Sequence, residues 1–183
     1  MITIFYYDGQ NIINEAENGI LTATNIRGND LISRQDNQGT IAYYLYNGHG
    51  DVVNLISINE TILNEYDFSI YGLGTQTEEG IFNPFRYAGE YYDQESGLYY
   101  LRARYYDSSI GRFISEDSYT GKLTDPLSLN LYTYCWNNPI RYVDPSGNAP
   151  VTLLYLYLTY VASSPDTHID MEMMSYSISQ GDY

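Results

Sequence analysis

This 183-residue chain is poorest in cysteine, tryptophan and basic residues: one Cys, one Trp, and eight Lys and Arg together. A lone Cys135 can form no intrachain disulfide, so the chain must hold itself by packing and hydrogen bonds. Neither His49 nor His168 lies near it in sequence, and the thiol reads as a small buried hydrophobe rather than a nucleophile. The eight basic residues face 23 Asp and Glu, a formal net charge of −15 that repels a phosphate backbone and excludes nucleic acid as an expected partner. Residues 1–85 hold only Arg27 and Arg34, whereas Arg86, Arg102, Arg104, Arg112, Lys122 and Arg141 follow. Ion pairs, and any site, are therefore expected in that middle segment.

Long apolar runs are also missing. The run Val151 to Val161 is shorter than the roughly 20 residues a membrane-crossing helix needs, so no membrane span is expected. The first ten residues show no basic stretch ahead of an apolar one, and no signal peptide is legible. Gly72-Leu73-Gly74 lacks the strand, spacing and helix of a nucleotide fingerprint, and no cofactor is expected. Asp166, His168 and Asp170 alternate within an acidic tail where solvated side chains are the ordinary reading, so no metal site is expected.

Tyrosine is what the chain has in plenty: 23 Tyr against 5 Phe and 4 Met. Tyrosine favours strands, where its ring covers a pleated face and its hydroxyl finds a partner. Short β-rich runs alternate with turn residues, as in Tyr43 to Tyr46, then Asn47-Gly48-His49-Gly50-Asp51, then Val52 to Ile56, and read as hairpins. The Tyr, Val and Thr content of residues 151–161 predicts a strand there. The doublets Tyr91-Tyr92, Tyr99-Tyr100 and Tyr105-Tyr106, anticipated by Tyr6-Tyr7, suggest repeating units that bury their faces against neighbours. The expected fold class is all-β, built of antiparallel hairpins.

One block is specific. Pro84-Phe85-Arg86-Tyr87-Ala88-Gly89-Glu90-Tyr91-Tyr92-Asp93, then Gly97-Leu98-Tyr99-Tyr100-Leu101-Arg102-Ala103-Arg104-Tyr105-Tyr106-Asp107 and Gly111-Arg112-Phe113, resembles the RHS repeat-associated core. The likeness continues through Leu129-Asn130-Leu131-Tyr132, Asn137-Asn138-Pro139 and Tyr142-Val143-Asp144-Pro145-Ser146-Gly147. Upstream, Tyr44 to Leu55 resembles the last YD repeats that precede such a core. The resemblance implies residues 1–83 as terminal YD-type repeats, 84–147 as the core, and 148–183 as a short C-terminal extension. It further implies a β-spiral shell fragment closed by a core plug, which contains and presents a C-terminal toxin. The softer features Gly121 to Leu127 and Tyr134-Cys135-Trp136 are similar to the Gram-positive, wall-associated branch, so the parent protein is expected to be secreted or bound to the cell wall. Its expected partners are the remaining RHS repeats or another shell-forming chain, and a toxin or its immunity protein. Unpaired sheet edges at the N-terminal end are expected to promote self-association.

Members of this family can cut themselves just after the core by an aspartic-protease-type reaction. Carried over residue by residue, the resemblance puts the two carboxylates at Asp117 and Asp144 and an arginine at Arg104. Two carboxylates that close share a proton, so one can activate water while the other assists the carbonyl. Read alone, Asp144-Pro145 is an ordinary turn starter and Asp117 a loop acid. Cleaving members carry Leu after the final glycine where this chain has Asn148, and Ser118 stands where many have Pro; cleavage is therefore expected to be slow or absent. The 36 residues after Gly147 are too few for an independent enzymatic domain. A second functional class stays open, an adhesive module whose exposed tyrosines bind carbohydrate or a cell-surface protein; rings packed inward would favour the shell.

Overall fold

The computed structural model describes residues 2–163. Eight strands follow one another in a single antiparallel meander: β1 (Thr3–Asp8), β2 (Asn11–Glu17), β3 (Ile20–Arg27), β4 (Leu31–Asp36), β5 (Ile41–Tyr46), β6 (Val52–Ile56), β7 (Ile62–Phe68) and β8 (Gly74–Glu79). Short turns enforce that order. Asn18 and Gly19 both take positive φ, +49° and +82°, the twist that joins β2 to β3 in a two-residue hairpin. At the β5–β6 turn, Asn47 Oδ1 accepts the N–H groups of His49 and Asp51 at 2.9 and 3.0 Å.

Because side chains alternate along a strand, register decides which residues share a face. Tyr44 pairs with Leu55 and Leu55 with Asn64, while Asn25 pairs with Arg34 and Arg34 with Ala42, so these residues line one buried face. Ile12, Leu31, Ala42, Tyr44, Val52, Leu55 and Tyr66 gather there beneath Phe85. Burying a side chain such as Leu55 contributes about 1.5–3 kcal/mol. A carboxylate also sits on this face: Glu15 Oε1 meets Arg34 at 2.5 Å and accepts from Asn25 at 3.1 Å, so its burial is compensated. Ile4, Ile26, Ile32 and Leu45 are exposed.

The chain crosses to a second sheet through Asn83, whose Oδ1 accepts the Tyr44 hydroxyl at 2.8 Å and whose Nδ2 donates to Phe85 O at 2.6 Å. That sheet pairs β9 (Tyr91–Asp93) with β10 (Leu98–Leu101), β10 with β11 (Arg104–Asp107), and β11 with β12 (Arg112–Phe113). Its core is aromatic. Tyr87, Tyr99, Tyr106, Phe113, Tyr134 and Cys135 are buried together, with the Tyr106 and Tyr134 ring centroids 4.1 Å apart. The buried hydroxyls reach backbone carbonyls: Tyr87 donates to Ile70, Tyr99 to Gly72 and Tyr106 to Tyr71. Tyr87 and the doublet tyrosines Tyr99 and Tyr106 thus knit the core to the β7–β8 hairpin.

A third, two-stranded piece joins β13 (Tyr142–Val143) to β14 (Val151–Thr152), and α1 (Leu153–Ser163) follows. The strand expected over 151–161 is thus corrected: only its first two residues are extended. β13 is two residues long, so after Thr152 there is no strand left to pair with and the backbone must satisfy itself as a helix. Thr152 Oγ1 starts that helix by accepting the Tyr155 N–H at 3.0 Å, and the leucines that follow are good helix formers. The acidic tail with Asp166, His168 and Asp170 lies outside the described residues. No helix among the described residues is long and apolar enough to cross a membrane.

Candidate functional site

The turn between β10 and β11 and the loop after β13 meet face to face. Arg104, the first residue of β11, is buried, and its guanidinium carbon lies 3.6 Å from the centre of the Phe113 ring. The fork it presents has four targets. Nε donates to Gly147 O in a short bond, and Nη1 donates to Leu131 O at 2.9 Å. Nη2 lies 2.8 Å from Asp117 Oδ2 and 3.7 Å from Asp144 Oδ2. Arg104, Asp117 and Asp144, all within the core motif, meet around one nitrogen. The two carboxylate oxygens are at most about 6.5 Å apart, the two distances laid end to end.

The two acids sit in different surroundings. Asp144 is 2% exposed, and burial pushes its carboxyl above the usual range against the Ser146 hydroxyl, Arg104 and nearby backbone N–H groups. Its Oδ1 accepts from the Ser146 hydroxyl at 3.1 Å and from the N–H groups of Asn148 and Ala149 at 3.2 and 3.1 Å. Asp117 keeps a side that water can reach; its Oδ1 accepts the Tyr119 N–H at 2.9 Å, and its own N–H donates to Leu131 O. For Arg104, burial pulls the pKa down while Asp117 and Asp144 oppose the loss. An arginine so placed remains a cation at neutral pH.

The peptide between Gly147 and Asn148 is therefore gripped at both ends: its oxygen by Arg104 and its N–H by Asp144. Gly147 has φ +72°, and a Cβ there would stand 2.2 Å from Leu101 O, so only glycine fits the approach. Asn148 is exposed. A cavity of about 640 Å³, bordered by His49, Glu90, Arg102, Asp144 and Leu156, lies on the Glu90 and Arg102 side of this loop.

Sequence reasoning missed the carbonyls of Leu131 and Gly147 as partners of Arg104, and missed Arg102 and Glu90 altogether. Backbone acceptors leave no trace in a sequence. Arg102 Nη1 meets both Glu90 oxygens, at 2.7 and 2.8 Å, and donates to Pro145 O at 2.5 Å. Arg102 stands at a turn position with φ +57°, where glycine is cheaper, and nothing in the sequence marks it. Among the described residues no cluster of His, Cys, Asp and Glu could hold a metal ion.

An antiparallel β meander followed by a second sheet with a core of buried tyrosines, ending in a segment that closes on its own downstream loop, has the build of a shell-type repeat protein. The chain belongs to the Teneurin YD-shell family, whose model matches residues 10–140, and is an RHS/YD-repeat protein. It is 37% identical over 154 residues to the tRNA3(Ser)-specific nuclease WapA of Bacillus spizizenii, covering 80% of this chain and 7% of that protein. Toxin protein Tse5 of Pseudomonas aeruginosa is 44% identical over 68 residues, 35% of this chain and 5% of that one. Among solved structures, the crystal structure of TcdB2-TccC3-TEV matches with a TM-score of 0.60 at 23% identity, over 73% of this chain and 7% of that one. A second, of TcdB2-TccC3 without hypervariable C-terminal region, matches with the same TM-score. The chain spans about 7% of the length of the WapA relatives it matches.

Proposed function

We propose that this chain is the closing segment of a YD shell that contains and presents a C-terminal toxin, and that Gly147–Asn148 is the junction where the shell separates from its cargo. On this reading residues 1–83 are the last wall repeats, 84–147 the plug, and 148–183 a short C-terminal extension. The observation that carries the reading is the two-ended grip on the Gly147–Asn148 peptide by Arg104 and Asp144. The inward packing of Tyr44, Tyr66, Tyr87, Tyr99, Tyr106 and Tyr134 supports a wall over an adhesive tyrosine face.

The positions of three side chains support a hydrolytic reaction at the junction. Water enters from the exposed side of Asp117, whose carboxylate takes its proton as the oxygen attacks the Gly147 carbonyl carbon. The negative charge that develops on Gly147 O falls on Arg104 Nε, already aimed at it. Asp144, kept protonated more readily by its burial, delivers a proton to the Asn148 nitrogen as the C–N bond breaks. The products are a carboxylate at Gly147 and an amine at Asn148. The reaction is slow, because Asn148 stands where cleaving members of the family carry an apolar side chain that would help seat the scissile bond.

Containment is tested in the full-length parent protein by timed digestion with an added protease. The segment downstream of residue 147 is expected to survive for as long as the shell survives. Digestion at the rate of a free unfolded peptide, with the shell intact, would contradict containment.

A further inference from the structure

Three consecutive carbonyls of one loop are held by three consecutive residues of another. Arg102 Nη1 donates to Pro145 O, the Ala103 N–H donates to Ser146 O at 3.3 Å, and Arg104 Nε donates to Gly147 O. The first grip is anchored from behind: both oxygens of the buried Glu90 lie on Arg102 Nη1, and Glu90 is fixed by its own N–H to Tyr87 O and by its carbonyl to the Arg86 N–H. Arg102 adopts left-handed backbone, φ +57°, which a residue with a side chain occupies at a cost and holds only where its surroundings dictate it.

We propose that Glu90 and Arg102 are positioning residues that set the register of the Asp144–Asn148 loop on Arg104, and so select Gly147–Asn148 as the peptide presented to Asp117 and Asp144. The selection step rests on the cleavage reading above; the register lock is a property of the fold by itself. Sterics and charge act together in it. A slip of one residue would bring Ser146 or Asn148 to the place where a Cβ meets Leu101 O at 2.2 Å and the Arg104 nitrogen at 3.1 Å. It would also strip Arg102 of the Pro145 carbonyl while Glu90 still holds it in place.

The lock also responds to pH. Burial pushes the Glu90 carboxyl up to about 7, against the opposing pull of Arg102 and Arg27 and with a further push from Asp144. Above neutrality the Glu90 carboxylate fixes Arg102 by a charge-assisted contact; below it the neutral acid holds Arg102 less firmly and the loop loosens.

The test is amide exchange at the Ala103 N–H of the whole chain, followed by NMR from pH 5.5 to 8.5 and corrected for intrinsic exchange. Ala103 donates to Ser146 O and does not touch Asp144, so its protection reports the lock and not the acid pair. In the wild type its protection should rise about tenfold through an inflection near pH 7, the loss of one charge-assisted contact being the difference. Glu90→Gln should abolish the inflection, Arg102→Met should hold protection at its low value throughout, and Arg102→Lys should restore part of it. The double variant Glu90→Gln/Arg102→Met removes both charges of the pair and stays folded should Arg102→Met not. Asp144→Asn should stop cleavage yet keep the Ala103 inflection, which separates failure of the cleavage reading from failure of the lock. An inflection that persists in Glu90→Gln, or wild-type protection in both Arg102→Met and the double variant, overturns the lock. A wild-type fragment ending at Gly147 that forms at the same rate in the double variant overturns the selection step.

Discussion

The guanidinium of Arg104 rests on the face of Phe113, 3.6 Å from its ring centre, while its edge reaches two carboxylates and two carbonyls. Stacking fixes the plane, and the plane aims the fork. Lysine carries the same charge without the plane, so Arg104→Lys should lose the bonds to Leu131 O and Gly147 O together and leave Asp144 poorly compensated. The expected cost is about 2–4 kcal/mol, between a surface pair and a fully broken buried one. Urea denaturation should register it as a lower midpoint with an unchanged slope.

Asn64 clamps the crossing between the sheets. Its amide donates to the Tyr66 hydroxyl and to Ile81 O at 2.7 and 2.8 Å, and its Oδ1 accepts from Gly80 and Ile81 at 3.1 and 3.0 Å. Asn64→Ala removes all four bonds and leaves buried partners behind, at an expected cost of about 2–4 kcal/mol, the sum of a small cavity and unmet polar groups. Tyr66→Phe at the same site should cost less, about 1–2 kcal/mol, since Asn64 keeps its backbone partners. Equal losses in the two variants would contradict this account of Asn64.

These cases mark how much was legible in the sequence. Hairpins such as Asn47 to Asp51 were readable because glycine and asparagine announce turns locally, and the core was readable because its residues recur in a fixed order. Arg104, Asp117 and Asp144 could be named only through that order; nothing in their spacing brings them together. Arg102, Glu90 and Asn64 stayed hidden because their partners are backbone atoms or residues distant in sequence. The helix at Leu153–Ser163 escaped because the local Tyr/Val/Thr composition favoured a strand, while the end of β13 decided the outcome.

A pH effect should appear at the β5–β6 turn. His49 Nδ1 lies 2.7 Å from Asp51 Oδ1, and the ring packs on Tyr87 with centroids 5.1 Å apart. Burial lowers the His49 pKa, but the bond to Asp51 and its charge outweigh burial and raise it; for Asp51, burial raises the pKa and His49 brings it down overall. With a folded pKa above its unfolded value of about 6.5, His49 contributes stability that is full below that value and lost as pH rises through the folded one. Asp51 contributes above its unfolded value of about 3.9 and loses it as pH falls. The pair therefore supports the turn most between those two limits. Stability measured from pH 5 to 8.5 should fall on the alkaline side in the wild type, and His49→Gln should remove that part of the slope.

Gly147→Ala should be among the costly single changes in the core. The new methyl meets Leu101 O at 2.2 Å, on backbone with φ +72°. Relief requires the loop to leave Arg104, so the expected loss is about 2–3 kcal/mol. It should come with faster exchange at Ala103 and Ala149. A variant as stable as the wild type would mean that the loop is not seated against Leu101.

Intact-mass analysis of the purified chain over several days, beside Asp117→Asn and Asp144→Asn, addresses the claim that Arg104 assembles two acids on one peptide bond. The account predicts a slowly growing fragment that ends at Gly147 in the wild type and is absent from both variants. A wild type that stays whole, a cut at another bond, or the same fragment in Asp117→Asn would contradict it.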